Sequence, residues 1–234
     1  MLLNARHRGV VGEFLGTSML VMAVVGSGIA AQRLTPEPGL RLLINAFATA
    51  GALVALIITF ASISDARFNP VVTLLAFAAR RVTLPEAAVE IVAQVAGAVV
   101  GVAVANTMFG VEAFQVAATD RSAGRLMFSE VIATLGLLLV IELTARSHGV
   151  QIVAMTVAGY IAGAYFFTSS TSFANPAVTI ARTLTDTYTG IKPSSTIRFI
   201  PAQLLGAVLA VGLTQLFREP KVAATAGVQS PPSG

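Results

Sequence analysis

The sequence predicts an all-α membrane protein with six transmembrane helices, two re-entrant half-helices and an inverted internal repeat. Three observations lead to this fold. Hydrophobic residues make up 55% of the chain and charged residues only 11%, a composition typical of integral membrane proteins. Apolar segments of membrane-spanning length follow one another along the chain. Two copies of an Asn-Pro motif, at Asn69 and Asn175, lie 106 positions apart in 234 residues.

The chain opens with a short basic segment, which predicts that the N-terminus stays in the cytoplasm. Each apolar segment that follows is long enough to cross a hydrocarbon core of about 30 Å at about 1.5 Å per residue. The predicted spans are 10–31, 40–61, 85–108, 126–145, 150–167 and 197–217. One transmembrane domain therefore occupies 1–218, and the segment 219–234, rich in Pro, Ser, Gly and Ala, is predicted to be a disordered cytoplasmic tail.

The two Asn-Pro motifs belong to a repeat of half the chain, with halves over about 9–108 and 125–218. Both copies read Asn-Pro-x-Val-Thr. Two further motifs recur in the same order, Glu-x-x-x-Thr and Ala-Gln-x-x-Gly, and they begin at Glu13 and Glu130 and at Ala93 and Ala202. Each half contains three full spans, and an odd number forces the second half into the inverted orientation.

Each Asn-Pro motif predicts the start of a short helix. Asparagine caps helices with its side chain, and proline suits the first helical position because its missing N–H needs no partner there. About ten apolar residues follow the first motif, a rise of about 15 Å or half a bilayer, so this helix starts near the midplane. A single copy would be an ordinary capped helix, whereas the repeat indicates two opposed half-helices. Their predicted first residues are Pro70, Val71, Pro176 and Ala177.

Two segments that break at membrane depth predict an internal aqueous path, because irregular backbone is tolerated there only inside protein or beside water. Each half-helix directs its positive N-terminal end at the midplane, which repels cations and attracts the oxygen of a neutral solute. The side-chain amides of Asn69 and Asn175 are predicted to donate hydrogen bonds to that oxygen.

The composition also limits the function. Cysteine is absent, so the chain has no thiol nucleophile, no disulfide and no cysteine metal site. We expect no metal, no cofactor and no enzyme activity. The formal net charge of +4 comes from basic residues scattered between apolar spans, which argues against nucleic-acid binding. The expected partners are the lipid bilayer, water and small neutral solutes.

These features resemble the aquaporins, also called major intrinsic proteins. The resemblance rests on the six spans, the inverted repeat and the two Asn-Pro motifs with their paired Glu and Gln-x-x-Gly patterns, and it extends from Glu13 to Phe217. It implies a homotetramer of hourglass pores that conduct small uncharged solutes passively. It also implies that Glu13 and Glu130 accept hydrogen bonds from the loop before each half-helix. The expected location is a bacterial inner membrane, with both termini in the cytoplasm.

The family usually places an arginine in the outer constriction, three residues after the second asparagine, where this chain has Val178. By the family's spacing, the other selectivity-filter positions are Thr49, Gly163 and Ser172. None of the four is aromatic or charged. Water-selective members carry bulky aromatic and imidazole groups there, and glycerol-permeable members keep the arginine. The resemblance therefore implies a pore wider than either.

Two arginines each have two interpretations. The loop before the first motif usually reads Ser-Gly-x-His-x, but here it contains Asp65 and Arg67. Arg67 either faces the cytoplasmic vestibule or extends to lipid headgroups. Arg182 lies one helical turn beyond Val178. It either places a positive charge in the outer vestibule or caps the C-terminal dipole of its helix, and we favour the second.

The leading functional hypothesis is a passive channel for glycerol, urea, water and undissociated metalloid acids such as arsenous acid. An ion-coupled secondary transporter is the main alternative, because such proteins also use inverted repeats and broken helices. Glu13 and Glu130 would then be the coupling residues. A structural membrane protein with an occluded pore is a third. Uptake that requires a proton gradient would indicate the transporter. Downhill flux alone would indicate the channel, and the absence of any flux would indicate the structural protein.

Overall fold

The computed structural model describes residues 4–217, so the predicted tail over 219–234 lies outside the described residues. Within 4–217 the chain forms α-helices, turns and loops but no strands. The helices long and apolar enough to cross a membrane are α1 (Ala5–Leu34), α2 (Pro38–Ser64), α4 (Leu84–Met108), α5 (Gly124–Ala145), α6 (Val150–Phe167) and α8 (Pro193–Leu216). Each predicted span matches one of these six helices, and the predicted fold class is confirmed.

Two shorter helices follow the Asn-Pro motifs. They are α3 (Pro70–Ala78) and α7 (Pro176–Ala181), and neither is long enough to cross a bilayer. The second has six residues where the first has nine. It ends earlier because the chain tightens into one turn of 3-10 helix at Arg182–Leu184, after which Thr185 is extended.

Local sequence explains where several helices begin and end. Thr83 and Glu86 form a capping box at the start of α4, in which the Glu86 carboxylate accepts hydrogen bonds from the backbone N–H and the hydroxyl of Thr83. Proline occupies the first turn of every helix from α2 to α4 and of α7 and α8, where it costs no hydrogen bond. At the end of α2, Asp65 adopts a left-handed conformation with φ of 60° and turns the chain back into the bundle.

The packing repeats between the two halves of the chain. In the first half α1 packs against α2 and α4, and in the second half α5 packs against α6 and α8. The half-helix α3 packs against α4 and α8, and α7 packs against α8 and α4. Each half-helix is therefore held between one long helix of its own half and the corresponding helix of the other half.

Glycines allow the closest helix contacts, and they do so at matching positions. A Cβ added at Gly97 of α4 would lie 2.2 Å from the carbonyl oxygen of Phe14 in α1. A Cβ added at Gly206 of α8 would lie 2.5 Å from the carbonyl oxygen of Val131 in α5. Because these neighbours are backbone atoms that cannot rotate away, only glycine fits at either position.

The bundle has an apolar exterior and buries several polar and charged side chains in its interior. Large apolar side chains remain exposed around its circumference, including Phe47 at 80%, Ile197 at 74% and Phe128 at 69%. Glu13 and Glu130, by contrast, are completely buried. An apolar outer surface of this kind is stable against lipid tails and not against water. The chain is thus an integral, multi-pass membrane protein.

Candidate transmembrane pore

The two asparagines of the repeated motif cap opposed half-helices. Asn69 Oδ1 accepts a hydrogen bond from the backbone N–H of Val71 at 3.1 Å, at the start of α3. Asn175 Oδ1 accepts one from the backbone N–H of Ala177 at 3.0 Å, at the start of α7. Such caps satisfy helix N–H groups that have no partner within the helix. The oxygen of each side-chain amide is thus committed to its own helix.

The nitrogen of each amide reaches across to the other half of the repeat. Asn69 Nδ2 donates to the carbonyl of Ala174 at 2.8 Å, and Asn175 Nδ2 donates to the carbonyl of Phe68 at 2.9 Å. These two bonds join the loops that precede the half-helices. An amide nitrogen carries two N–H groups, so each asparagine retains one donor. Both side chains line an internal cavity, where that donor can meet a solute.

The loops before the half-helices share an unusual backbone conformation. The residues three and one before each asparagine, Ala66, Phe68, Ser172 and Ala174, have φ values of 49°, 49°, 50° and 45°. Residues other than glycine rarely adopt these left-handed conformations, which cost about 1 to 3 kcal/mol each. Surrounding contacts must therefore hold both loops in place.

Glu13 provides those contacts in the first half. It is fully buried, and its carboxylate accepts hydrogen bonds from the backbone N–H groups of Arg67 at 3.0 Å and Phe68 at 2.7 Å. Gln94 Nε2 donates to the same carboxylate at 2.7 Å and to the hydroxyl of Thr73 at 2.9 Å. The network links α1, α4, the loop and α3.

Glu130 makes the matching network in the second half. Its carboxylate accepts from the backbone N–H groups of Phe173 and Ala174, both at 2.9 Å, and from Gln203 Nε2 at 2.7 Å. Gln203 Nε2 also donates to Thr179 Oγ1 at 2.8 Å. Each glutamate thus accepts two hydrogen bonds from the backbone of its loop and a third from a glutamine of a long helix.

A cavity with a volume of about 140 Å³ runs through the centre of the bundle past both asparagines. Asp65 and Arg67 line one end, which we name the inner end because it lies on the side where α1 begins. Val178 and Arg182 line the other, which we name the outer end. The cavity therefore extends from the inner end, past the point where the half-helices meet, to Val178 and Arg182.

One wall of the cavity is formed by α2 and α6, which pack against each other. Thr49 of α2 and Tyr165 of α6 line it, and their hydroxyl oxygens are 3.1 Å apart. Val157 and Ile161 continue the same face of α6, at the four-residue spacing that aligns side chains along a helix. This wall is mostly apolar, with one hydroxyl pair near the outer end.

The structure corrects one predicted filter position. Gly163 does not line the cavity. It is exposed on the outside of α6, where an added Cβ would meet only the ring of Phe167 at 3.6 Å. Two positions along a helix correspond to a rotation of about 200°, so Tyr165 faces the cavity and Gly163 faces away from it. An aromatic residue therefore lines the pore at this level, contrary to the expectation.

The remaining predicted filter residues do line the cavity. Thr49, Ser172 and Val178 all lie on its surface, and all are buried. Phe173 and Arg182 join them near the outer end. The Arg182 side chain therefore lines this part of the cavity, although none of the four predicted filter positions is charged.

Arg67 occupies the inner end and is paired twice. Its side chain is 8% exposed, and its terminal nitrogens lie 2.6 Å from carboxylate oxygens of Asp65 and Glu90. Of the two interpretations of Arg67, these contacts fit the vestibule position and not an extension to lipid headgroups. The inner arginine is neutralised by two acids.

Arg182 at the outer end does not make the contacts of a helix C-terminal cap. Its Nε donates to the carbonyl of Thr189, in the loop that follows α7. The centre of its guanidinium lies 3.5 Å from the centroid of the Phe173 ring. Because the side chain bonds no carbonyl of α7 itself, the interpretation favoured from the sequence is wrong, and the vestibule position is the one observed.

Comparison with known proteins agrees with this geometry. The sequence profile of the major intrinsic protein family matches residues 3–149 and 142–234 of the chain. The chain belongs to the major intrinsic protein family. Its members are passive channels and not enzymes, so this major intrinsic protein is a channel for small solutes.

Individual proteins show the same relationship. The chain is 42% identical over 213 residues to aquaglyceroporin AqpS of Rhizobium meliloti (strain 1021), which covers 91% of each chain. It is 34% identical over 127 residues to rice aquaporin PIP2-5, covering 50% of this chain and 43% of that one. The solved structure of the aquaglyceroporin from Plasmodium falciparum superposes with a TM-score of 0.72 at 20% identity, over 89% of this chain and 95% of that one. The last likeness establishes the fold.

Sequence reasoning missed several residues that line the pore of this major intrinsic protein, among them Tyr165 and Phe173. A signal for the first was present, since Val157, Ile161 and Tyr165 recur every four residues on the buried face of α6. Phe173 lies two residues before Asn175 in an irregular loop, where no periodicity predicts which way a side chain points.

Proposed function

We propose that this protein is a passive channel for glycerol, urea, undissociated metalloid acids such as arsenous acid, and water. One observation carries the proposal. Val178 lines the outer end of the cavity at the position where the family usually has an arginine. A valine offers neither a hydrogen-bond donor nor a charge at this position, and it is smaller than arginine. Solutes larger than water therefore meet less resistance there.

The two sides of the cavity suit a solute that is partly apolar and partly polar. Val157, Ile161 and Leu137 contribute an apolar wall, while Asn69 and Asn175 contribute amide donors. Glycerol presents a carbon backbone and hydroxyls. Arsenous acid is uncharged near neutral pH and carries three hydroxyls in a similar arrangement. Such a lining favours these solutes over ions, which lose hydration that the wall cannot replace.

The relationships support the same proposal. The rhizobial relative is named an aquaglyceroporin and covers nearly the whole chain, which favours glycerol among the solutes. It also favours a bacterial inner membrane, and the basic start of the chain favours cytoplasmic termini. Four copies, each with its own pore, form the proposed assembly, as the family resemblance implies.

The ion-coupled transporter receives less support from the contacts. A coupling carboxylate must exchange protons with the path, but Glu13 and Glu130 are fully buried and each accepts hydrogen bonds from three donors. We therefore assign both glutamates to loop support.

The Val178→Arg variant in proteoliposomes tests the proposed filter. A guanidinium at this position should narrow the outer end and add a cationic donor, so glycerol and arsenous acid permeability should fall more than water permeability. The effect should persist across pH because guanidinium stays charged. Val178→Leu is the matched control, since it adds volume without charge. Unchanged glycerol and arsenous acid permeability relative to water, in Val178→Arg folded at wild-type levels, would contradict the proposal.

A second experiment separates channel from transporter. An ionophore that dissipates the proton gradient should leave downhill glycerol flux unchanged in wild-type proteoliposomes. Accumulation against a gradient that stops when the ionophore is added would instead assign the protein to the coupled transporters.

A further inference from the structure

Arg182 is a buried cation on the wall of the pore. Its side chain lines the outer end of the cavity, one helical turn beyond Val178, and the residue is only 4% exposed. Phe173 forms part of the same wall, and the guanidinium stacks on its ring. A guanidinium over an aromatic face in a buried setting is held in one orientation. Arg182 is thus a fixed charge and not a mobile one.

The contacts of Arg182 leave most of its hydrogen-bonding capacity unused. Of its nitrogens, Nε donates to the carbonyl of Thr189. The two terminal nitrogens make no hydrogen bond to residues 4–217, yet neither is sealed from open space. Because the residue is otherwise buried and lines the cavity, that open space is the pore. Four N–H groups therefore remain for a solute.

The positive charge at the outer end is not neutralised by a neighbouring acid. Among residues 4–217, no carboxylate lies within ion-pair distance of Arg182 or of Arg121. The centre of the Arg121 guanidinium lies 5.2 Å from the centroid of the same Phe173 ring, so a second cation adds to the field. Glu130 is the acid behind this wall, and its carboxylate is occupied by three donors.

We propose that Arg182 is the specificity-determining residue of the outer end of the pore. Its guanidinium repels cations and donates hydrogen bonds to the oxygens of uncharged hydroxylated solutes. The inference rests on the proposed channel function and adds a mechanism for selectivity to it. The charge is displaced one turn outward from Val178, so steric width and electrostatic selection are set by different residues. The pore can thus be wide at Val178 and still exclude cations.

The test compares urea with guanidinium, which are planar molecules of similar size that differ in charge. Flux of each into proteoliposomes should be measured for wild type, Arg182→Met, Arg182→Lys and Arg125→Met. Wild type should pass urea at least about tenfold faster than guanidinium, given the repulsion between unit charges a few ångströms apart. Arg182→Met should raise the guanidinium-to-urea ratio about tenfold, whereas Arg182→Lys keeps the charge and should change it by less than about threefold.

Arg125→Met is the matched control, because Arg125 is exposed at the start of α5 and its side chain makes no hydrogen bond within 4–217. Its ratio should equal that of wild type. An unchanged ratio in Arg182→Met, with urea flux intact, would overturn the inference. Should Arg182→Met not fold, guanidinium passing through wild type as fast as urea would overturn it as well. Absence of urea and glycerol flux in wild type would instead overturn the proposed function.

Discussion

The two halves of the repeat are nearly identical where they meet and different where they open. At the centre, Asn69 and Asn175 cap their helices and bond each other's loops at distances that differ by 0.1 Å, 2.8 Å against 2.9 Å. Behind them, Glu13 and Glu130 each bind two backbone N–H groups and one glutamine. The inner and outer ends of the cavity, by contrast, each carry an arginine, and the contacts of the two arginines differ.

The difference lies in how each arginine is compensated. Arg67 at the inner end contacts Asp65 and Glu90 through two ion pairs. Arg182 at the outer end contacts a carbonyl and an aromatic ring, and no carboxylate within 4–217 pairs with it. A paired arginine contributes to structure, and an unpaired one contributes field and donors to the pore. The symmetric centre therefore determines the course of the pore, while the different inner and outer ends determine which solutes enter it.

The largest effect on stability should come from removing either of the two buried glutamates that support the loops at the centre. Glu13→Ala or Glu130→Ala strands three donors in a buried site, at roughly 1 to 3 kcal/mol each. Both variants should lose most folded protein, measured as the monodisperse fraction after extraction and heating. The exposed Glu112→Ala is the matched control and should behave as wild type. If either buried-glutamate variant is as thermostable as wild type, the symmetric support role is wrong.

An intermediate effect should come from the close helix contacts. Gly206→Ala drives a Cβ against the Val131 carbonyl, and overpacking of this kind costs about 1 to 3 kcal/mol. Gly212→Ala is a matched control on the same helix, because a Cβ there meets nothing within 4 Å. Thermal midpoints in detergent should fall for the first and not for the second. Equal midpoints would show that α5 and α8 can separate without penalty.

The smallest effect on stability should come from removing a carboxylate that pairs with Arg67, which makes the inner end resemble the outer end. Glu90→Gln removes the better shielded partner of Arg67, since the side chain of Glu90 is 15% exposed and that of Asp65 is 73% exposed. We expect a loss of about 1 kcal/mol for Glu90→Gln and under about 0.5 kcal/mol for Asp65→Asn. Thermal midpoints at low and high salt measure both. The reverse order would mean that the exposed Arg67–Asp65 pair stabilises the inner end more than the Arg67–Glu90 pair does.

The fold could be predicted from the sequence because both the repeat and the apolar spans depend only on the order of residues along the chain. The lengths of the spans determine which segments cross the membrane, and the two Asn-Pro motifs locate the half-helices. The motif around Gln94 and Gln203 was visible as well, but its role was not. Only the structure brings each glutamine to a glutamate and a threonine on different helices.

The filter was less predictable because it depends on where side chains point. Counting twelve residues back from Asn175 gives Gly163, but the face of α6 that meets the cavity carries Tyr165. Arg182 illustrates a second limit. Its long side chain turns away from the end of α7 toward the Phe173 ring, and a position one turn beyond Val178 is compatible with either direction.

Stopped-flow light scattering on wild-type proteoliposomes tests the central proposal most directly, namely that a wide, cation-excluding pore conducts small uncharged solutes. Water, glycerol and urea should each be imposed as an osmotic gradient, with arsenous acid uptake measured in parallel against protein-free liposomes. We predict faster downhill entry of glycerol, urea and arsenous acid than in protein-free liposomes, with no requirement for a proton gradient. Rapid water flux with solute entry no faster than through lipid alone would contradict the proposal.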